Sequence, residues 1–363
     1  MPDDGKLAAI RLRIDALDTE LLRLLSERAA CAQQVAEVKR AAGESAFYRP
    51  EREAQVLRQV AATNPGPLPE EAVTRIFREI MSACLALERP LTVAYLGPPG
   101  TFSQDATQKH FGQAASSLPQ ATIDQVFREV DAGAADYGVV PIENSTEGAV
   151  THTLDMFLSS PLKVCGEVEL AVHQQLLSRA ADLSEINKVY SHAQSLAQCR
   201  RWLVGHLPGV TAEAVSSNAE AARRAASEDG AAAIAGQSAG RLYDLPCLAA
   251  NIEDEPGNTT RFLIIGSQDT QPSGRDKTSL LLSTGNRPGA LASLLEPLRR
   301  HGISMTRIES RPARTGRWQY VFFIDIEGHV RDAPVQQVLE ELREVTALCK
   351  VLGAYPRAAG DAP

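Results

Sequence analysis

The sequence predicts a multidomain chain: an all-α helical segment, then an α/β region, then a small α+β ferredoxin-like domain. Three observations carry this prediction. Apolar residues recur at steps of three and four near the start, short β-branched runs alternate with Ala-rich helical stretches from Leu91 onward, and the last eighty or so residues read β-α-β-β-α-β. At 363 residues the chain is long enough for two or three domains with proper cores.

The first element is a long helix from about Leu7 to Ala42. Leu7, Ile10, Ile14, Leu17, Leu21, Leu24, Arg28, Cys31, Val35 and Val38 form its apolar seam, and Arg28 alone among them is charged. Lys39 lies about 20° round the helix from Arg28, so two cations look toward nearly the same line. A buried guanidinium without a partner costs several kcal/mol. Either a carboxylate of the chain, such as Glu53, or an anionic ligand must meet it. The helix would be roughly 50 Å long, more than a unit of about ninety residues can cover, which implies a second chain packed along it. Arg11 lies about 25 Å from Arg28, too far to share one small ligand within a chain, although Arg11 of one chain could complete the site of the other.

Pro50 begins a second helix with Glu51 and Glu53 in its first turn, and Asn64-Pro65-Gly66-Pro67 ends it. A third runs from about Pro69 to Leu87 with Val73, Ile76, Phe77, Ile80, Cys84 and Leu87 inward and Glu88 one turn beyond Cys84. The following texture suggests βαβ units and a mainly parallel sheet, with strands at 91–96, 137–140, 188–191, 210–215, 232–235 and 261–265. Several end in small polar runs that open a helix: Gly100-Thr101-Phe102-Ser103, Glu143-Asn144-Ser145-Thr146, His192-Ala193-Gln194-Ser195 and Ser216-Ser217-Asn218. Helix N-termini gathered at strand ends make an anion site; the competing reading is that these residues are only helix caps. The polar stretch from Gly266 to Gly274 reads as a linker. After it come a strand at 278–283, a helix at 288–301, strands at 303–310 and 318–327, a helix at 333–346 and a strand at 348–354.

A formal charge of -8 and 5% aromatic residues argue against nucleic-acid and anionic-membrane partners. The six cysteines show no C-x-x-C pair and no zinc spacing, as expected of reduced thiols in a cytoplasm. Met1 to Lys6 has no secretory pattern and no apolar run reaches membrane-spanning length, so a soluble, non-exported protein is expected.

Arg11, Arg28, Lys39, Arg52-Glu53, Cys84 and Glu88 make the first ninety residues resemble the all-helical chorismate mutase family. Gly97-Pro98-Pro99-Gly100-Thr101-Phe102-Ser103, Pro141-Ile142-Glu143-Asn144-Ser145 and Asn258-Thr259-Thr260-Arg261-Phe262 make the middle resemble prephenate dehydratase, a two-lobed, periplasmic-binding-protein-like α/β fold. Gly289-Ala290-Leu291 and Glu309-Ser310-Arg311-Pro312 make the end similar to a phenylalanine-sensing ACT domain. The order is that of the bifunctional P-protein family of phenylalanine biosynthesis. The corresponding domains are expected at 1–90, 91–267 and 277–357.

The resemblance implies two reactions and no cofactor. Chorismate, a dianion, rearranges to prephenate by a pericyclic shift that depends on holding the reactive conformer and stabilising charge on the ether oxygen. Arg28 and the partner chain's counterpart of Arg11 would clamp the carboxylates, Lys39 would donate to the ether oxygen, Glu53 would take the substrate hydroxyl, and Arg52 would order the site. Arg49 and Cys84 join the chorismate-binding set, and Glu88 stands where many relatives carry a donating glutamine. Prephenate then loses hydroxide and carbon dioxide together, with Thr260 donating to the leaving hydroxyl and Ser103, Asn144, Ser145, Gln194 and Arg261 as substrate contacts. His173 and His192 are further candidate acids. L-Phenylalanine would bind at 289–291 and 309–312, shared between two such domains, in a homodimer or higher homo-oligomer. Three rivals remain: a non-catalytic sensor, a fused dehydrogenase, for which the required G-x-G-x-x-G turn is missing, and arogenate as the dehydratase substrate.

Overall fold

The computed structural model describes residues 4–43, 48–285, 287–313 and 320–358. Met1 to Asp3 and the first residues of the expected strand at 318–327 lie outside the described residues. Two compact units result, Met1–Leu91 with Phe111–Ala115 and Thr92–His110 with Ser116–Pro363.

The first unit holds α1 (Asp4–Ala41), α2 (Pro50–Thr63) and α3 (Glu70–Glu88). Pro50 sits in the first turn of α2, where its missing N–H costs nothing, and Asn64 closes the helix by accepting from Gly66 N and donating to Leu68 O. Helices of 14 and 19 residues cannot sheathe one of 38. Consequently the expected buried stripe is open in the single chain: Leu7, Ile10, Ile14, Leu17, Leu21 and Leu24 are 46–57% exposed, and Ile76 and Leu87 of α3, expected inward, are exposed too. Arg28 and Lys39 are half-buried.

The second unit begins with a lobe of β1 (Thr92–Leu96), α4 (Phe102–Phe111), β2 (Ser116–Gln120), α5 (Ile123–Asp131), β3 (Tyr137–Asn144), β4 (Gly148–Ala149), α6 (Thr151–Ser159) and β5 (Lys163–Ala171). The chain then crosses to a second lobe of β6 (Gln175–Ser178), β7 (Lys188–His192), α7 (Ala193–Gln198), α8 (Arg200–His206), β8 (Thr211–Val215), α9 (Asn218–Ala225), β9 (Ala231–Ala235), α10 (Gln237–Tyr243) and β10 (Cys247–Ala249). It returns as β11 (Thr259–Gly266) into the first sheet, whose order is β2-β1-β3-β11-β5 with β4 on β3; the second is β10-β6-β9-β7-β8. Alanine in β9 and on the buried side of α9 lets that helix lie close to the sheet.

The expectation of a mainly parallel sheet needs correcting. β1, β2 and β3 are parallel, but β11 runs antiparallel to both β3 and β5, and β6 antiparallel to β9. The two crossings between lobes explain this, since β6 and β11 each enter their sheet from the other lobe. The sequence reading also missed β2, β4, β5, β6 and β10. β2 is the polar segment Ser-Ser-Leu-Pro-Gln on a sheet edge, where proline is tolerated.

The last elements are β12 (Asp276–Thr284), α11 (Ala290–Arg300), β13 (Met305–Pro312), β14 (Tyr320–Glu327), α12 (Ala333–Val345) and β15 (Leu348–Pro356), in an antiparallel sheet of order β13-β14-β12-β15. Leu280, Leu282, Ile324 and Ile326 face α11 and α12, while Leu281, Phe323, Leu352 and Tyr355 join the core of the first lobe with Val164 and Leu263. The supposed linker is therefore no tether. Thr270 and Ser273 are buried, Thr270 Oγ1 donates to Ala354 O, Cys165 Sγ donates to Gln268 O, and Gln268 Nε2 donates to the Tyr137 hydroxyl. Polar side chains here satisfy strands on both sides instead of solvating a loop.

β15 meets β5 at Gly353, where an added Cβ would lie 2.8 Å from Val164 N and closer still to its carbonyl oxygen. Backbone cannot yield as a side-chain tip can, so Gly353→Ala should destabilise by about 1–3 kcal/mol. For a unit of this size that lowers Tm by several degrees, roughly 2–4 °C per kcal/mol. Gly205→Ala, with nothing within 4 Å of its Cβ, is the control. Equal melting temperatures in the two variants would contradict the close approach.

Candidate active sites

In the helical unit, α1 and α3 bring Lys39 and Glu88 together, with Lys39 Nζ 3.8 Å from Glu88 Oε2. That oxygen is buried and has no hydrogen-bond partner. Arg40 Nη2 donates to the Glu88 carbonyl at 3.2 Å, at the end of α3 where carbonyls lack helical partners. Burial pushes the Glu88 carboxyl above its ordinary pKa, and the charges of Lys39, Arg40 and Arg28 oppose the rise without cancelling it. Arg28 thus acts electrostatically on Glu88. Glu53 is paired instead with Arg78, whose Nε lies 3.4 Å from Glu53 Oε1, so the internal-pair explanation of Arg28 through Glu53 does not hold. Burial also raises Glu53, against Arg78 and a hydrogen bond from Tyr48. Cys84 is buried one turn before Glu88, while Arg11 and Arg52 stand exposed and Arg49, preceding α2, lies 3.9 Å from Glu51. Arg40, Arg78 and Tyr48 were not anticipated; only the run Lys39-Arg40 at the end of α1 hinted at the first.

In the second unit a cleft of about 330 Å³ lies between the lobes, walled by Thr101, Ser103, Asn144 and Thr260 from one and Gln174, His192, Gln194 and Asn218 among others from the other side. Phe102 presses on Gly236, Gly100 (φ +86°) lies against Ala239, and Ser238 Oγ donates to Asp105 at 2.8 Å, holding the lobes together beside it.

Asn144 and Thr260 face each other across β3 and β11. Asn144 Nδ2 donates to Asn258 Oδ1 at 2.7 Å and to Thr260 Oγ1 at 2.9 Å, and its Oδ1 accepts from the Thr146 and Glu147 N–H groups, both at 3.0 Å. Its capacity is used within the protein. Because the Thr260 hydroxyl already accepts from Asn144, its proton is the part left to offer a ligand.

Two expected contacts lie elsewhere. Ser145 Oγ accepts from Thr259 N at 3.0 Å and fastens β11 to the turn after β3; it does not line the cleft. Arg261 is one residue along from Thr260, and successive strand residues face opposite ways. Its guanidinium therefore meets Glu167, Asp325 and the Tyr355 hydroxyl instead of the cleft. His173 is exposed and pairs with Glu253 at 2.9 Å, whereas His192 does line the cleft and its Nδ1 accepts from Gln194 N. Sequence reasoning missed Gln174, and named Ser195 and Asn258 only within longer runs. Gln174 is 1% exposed; its Nε2 donates to Ser195 Oγ at 3.1 Å and its Oε1 is a buried acceptor without a partner. Nothing in the run His173-Gln174-Gln175 marks it, because it follows an unrecognised strand.

In the C-terminal domain, Gly289 precedes α11 at φ +79° with open space in front of its absent Cβ, so the backbone conformation, not crowding, calls for glycine. Glu309, Ser310, Arg311 and Pro312 end β13, an edge strand, and Arg311 Nη2 lies 3.2 Å from Asp155 Oδ1 of α6.

The chain matches family models for chorismate mutase type II over residues 10–89, prephenate dehydratase over 93–270 and the ACT domain over 278–344. It is 58% identical over 363 residues to a bifunctional chorismate mutase/prephenate dehydratase of Pseudomonas aeruginosa, covering 99% of this chain and 100% of that one. To the protein of that name from Escherichia coli K12 it is 34% identical, over 98% and 97% of the two chains. A prephenate dehydratase from Arthrobacter aurescens, crystallised with L-Phe, superposes with a TM-score of 0.68 and 34% identity over 74% of this chain and 90% of that one. The chain belongs to the bifunctional chorismate mutase/prephenate dehydratase family. Among the described residues no helix is long and apolar enough to cross a membrane.

If Glu88 donates from its protonated carboxyl, a raised pKa keeps the donor present below that pKa and loses it as pH rises through it. Chorismate mutase kcat/KM should then fall with rising pH on a limb that Glu88→Gln abolishes, since an amide donates throughout. Superimposable profiles for the two proteins would remove Glu88 from that role.

Proposed function

We propose that this chain converts chorismate to prephenate in its helical unit and prephenate to phenylpyruvate in the interlobe cleft, under feedback inhibition by L-phenylalanine at the C-terminal domain. The observation that carries the second activity is the Asn144–Thr260 hydrogen bond, which occupies the hydroxyl as an acceptor and leaves its proton to a ligand in a polar cleft.

In the first reaction Lys39 and protonated Glu88 donate to the ether oxygen as its bond to the ring carbon lengthens, Arg28 holds a carboxylate and Glu53 takes the substrate hydroxyl. Both donors gain strength from partial burial, where charge is poorly screened by water. Arg11 reaches the site only from a second chain, and the exposed seam of α1 is apolar enough to recruit one. The working form is thus a homodimer or a higher homo-oligomer, and a cytoplasmic location suits its six free cysteines.

In the second reaction the electron pair of the C–CO₂ bond enters the ring, which becomes aromatic, while carbon dioxide leaves. The C–O pair departs with the hydroxyl oxygen as hydroxide, which becomes water on taking up a proton from solvent. Thr260 hydrogen-bonds that oxygen as negative charge develops on it. Ser103 and Gln194 line the same cleft for the substrate's carboxylates, Gln174 Oε1 offers an acceptor, and Asn144 orients Thr260. Phenylalanine would lie against Gly289-Ala290-Leu291 and the Glu309-Ser310-Arg311-Pro312 run.

Two sites in two units make the activities separable. Lys39→Ala should lower mutase turnover by about 10²-fold or more, the scale of losing a preorganised donor, and spare dehydration of added prephenate. Thr260→Ala should do the reverse. Chorismate loss and phenylpyruvate formation, measured separately on each purified variant, check this; joint loss in a well-folded variant would mean one shared site.

A further inference from the structure

The Asn144–Thr260 pair has a neighbour with a different destination. One step along the same two strands, Glu143 stands opposite Arg261, and both side chains turn from the cleft toward the C-terminal sheet. There β13 and β14 present Arg307 opposite Asp325. Arg261 Nη1 lies 2.7 Å from Asp325 Oδ2, and Arg307 Nε lies 2.8 Å from Glu143 Oε2. Four charges alternate in sign around a square, two from the strands that carry the cleft and two from the regulatory sheet.

The sides of the square are unequally secured. Each nitrogen of the Arg261 guanidinium has an acceptor: Nε on Glu167, Nη1 on Asp325 and Nη2 on Tyr355 OH. Glu167 is further held by Lys277 at 2.9 Å, and Asp325 by Ser279 at 2.6 Å. On β13, by contrast, Arg307 Nη2 and Arg311 Nε are buried without a hydrogen-bond partner. The arginines of the strand that ends in Glu309-Ser310-Arg311-Pro312 are thus the less completely satisfied, and a movement of β13 breaks their pairs first. Arg307 is buried while Glu143 is partly exposed, so when the pair parts it is the Arg307 charge that is left uncompensated.

We infer that the Glu143–Arg307 pair is the positioning contact through which phenylalanine on β13 acts on Thr260, with Arg261–Asp325 as the fixed pivot. Glu143 shares a peptide bond with Asn144, whose amide sets the Thr260 hydroxyl. A displacement of Arg307, two residues from Glu309, is transmitted to the hydrogen bond that orients Thr260. This rests on the reading of the C-terminal domain as the phenylalanine sensor.

The test uses the full chain, prephenate turnover and calorimetric phenylalanine binding. Arg307→Gln and Glu143→Gln should each retain prephenate turnover within a few-fold and still bind phenylalanine, while the concentration for half-inhibition rises about tenfold or more, in the range of ordinary coupling free energies. The double variant should be no less sensitive than either single one, because the two side chains act as one contact. Arg307→Lys, which keeps the charge, should fall between wild type and Arg307→Gln, and serves where the neutral variant does not fold. Wild-type inhibition in the neutral variants, additive losses in the double variant, or loss of phenylalanine binding in Arg307→Gln would overturn the inference. Absence of phenylalanine binding to the unaltered chain would instead sink the sensor reading on which it rests.

Discussion

A guanidinium buried between two sheets is the constraint around which the larger unit is organised. Arg261 sits on β11, the strand that returns from the second lobe to lie between β3 and β5, and its charge is neutralised by Glu167 of β5 and Asp325 of β14. Without those carboxylates its burial would cost several kcal/mol. The requirement holds the C-terminal sheet against the first lobe, and the apolar face of Leu281, Phe323 and Leu352 closes the same interface. What looks in sequence like a catalytic domain followed by an appended module shares a core cluster between the first lobe and the C-terminal sheet.

That arrangement also explains the economy of the cleft. Dehydration driven by aromatisation asks for oriented donors more than for a strong acid, and in the cleft Asn144, Asn258 and Thr260 are tied together by neutral hydrogen bonds. Charged residues of the same motifs are turned away from the cleft into the interface, where they hold strands in register. The helical unit follows the opposite policy, with Lys39, Arg40 and Arg28 crowding one buried carboxyl whose pKa rises because burial outweighs them. The rearrangement it serves involves a dianion, which would itself be a partner for those cations.

Much of this was legible in the residues. The heptad-like seam of α1, Pro50 at the start of α2, the strand at Arg261 to Ile265 and the β-α-β-β-α-β order all follow from side-chain periods and from the local chemistry of proline and glycine. Thr260, Asn144, Ser103 and Gln194, expected from the sequence as prephenate contacts, line one cleft. Local patterning failed where the partner is remote in sequence: for β2, whose polar residues pair with β1, and for the 266–274 segment, whose hydroxyls and carbonyls are satisfied by residues far along the chain.

The sequence by itself determined the order of domains, most of the elements and the residue types each chemistry needs, because these depend on near neighbours along the chain. Only the tertiary structure decided where the charges go. It assigned Arg261 to Glu167 and Asp325 instead of the cleft, Glu53 to Arg78 instead of Arg28, and Gln174 to the cleft wall. Which face of a strand is dry, and which remote carboxylate meets a cation there, depends on how sheets pack, and no local period records it.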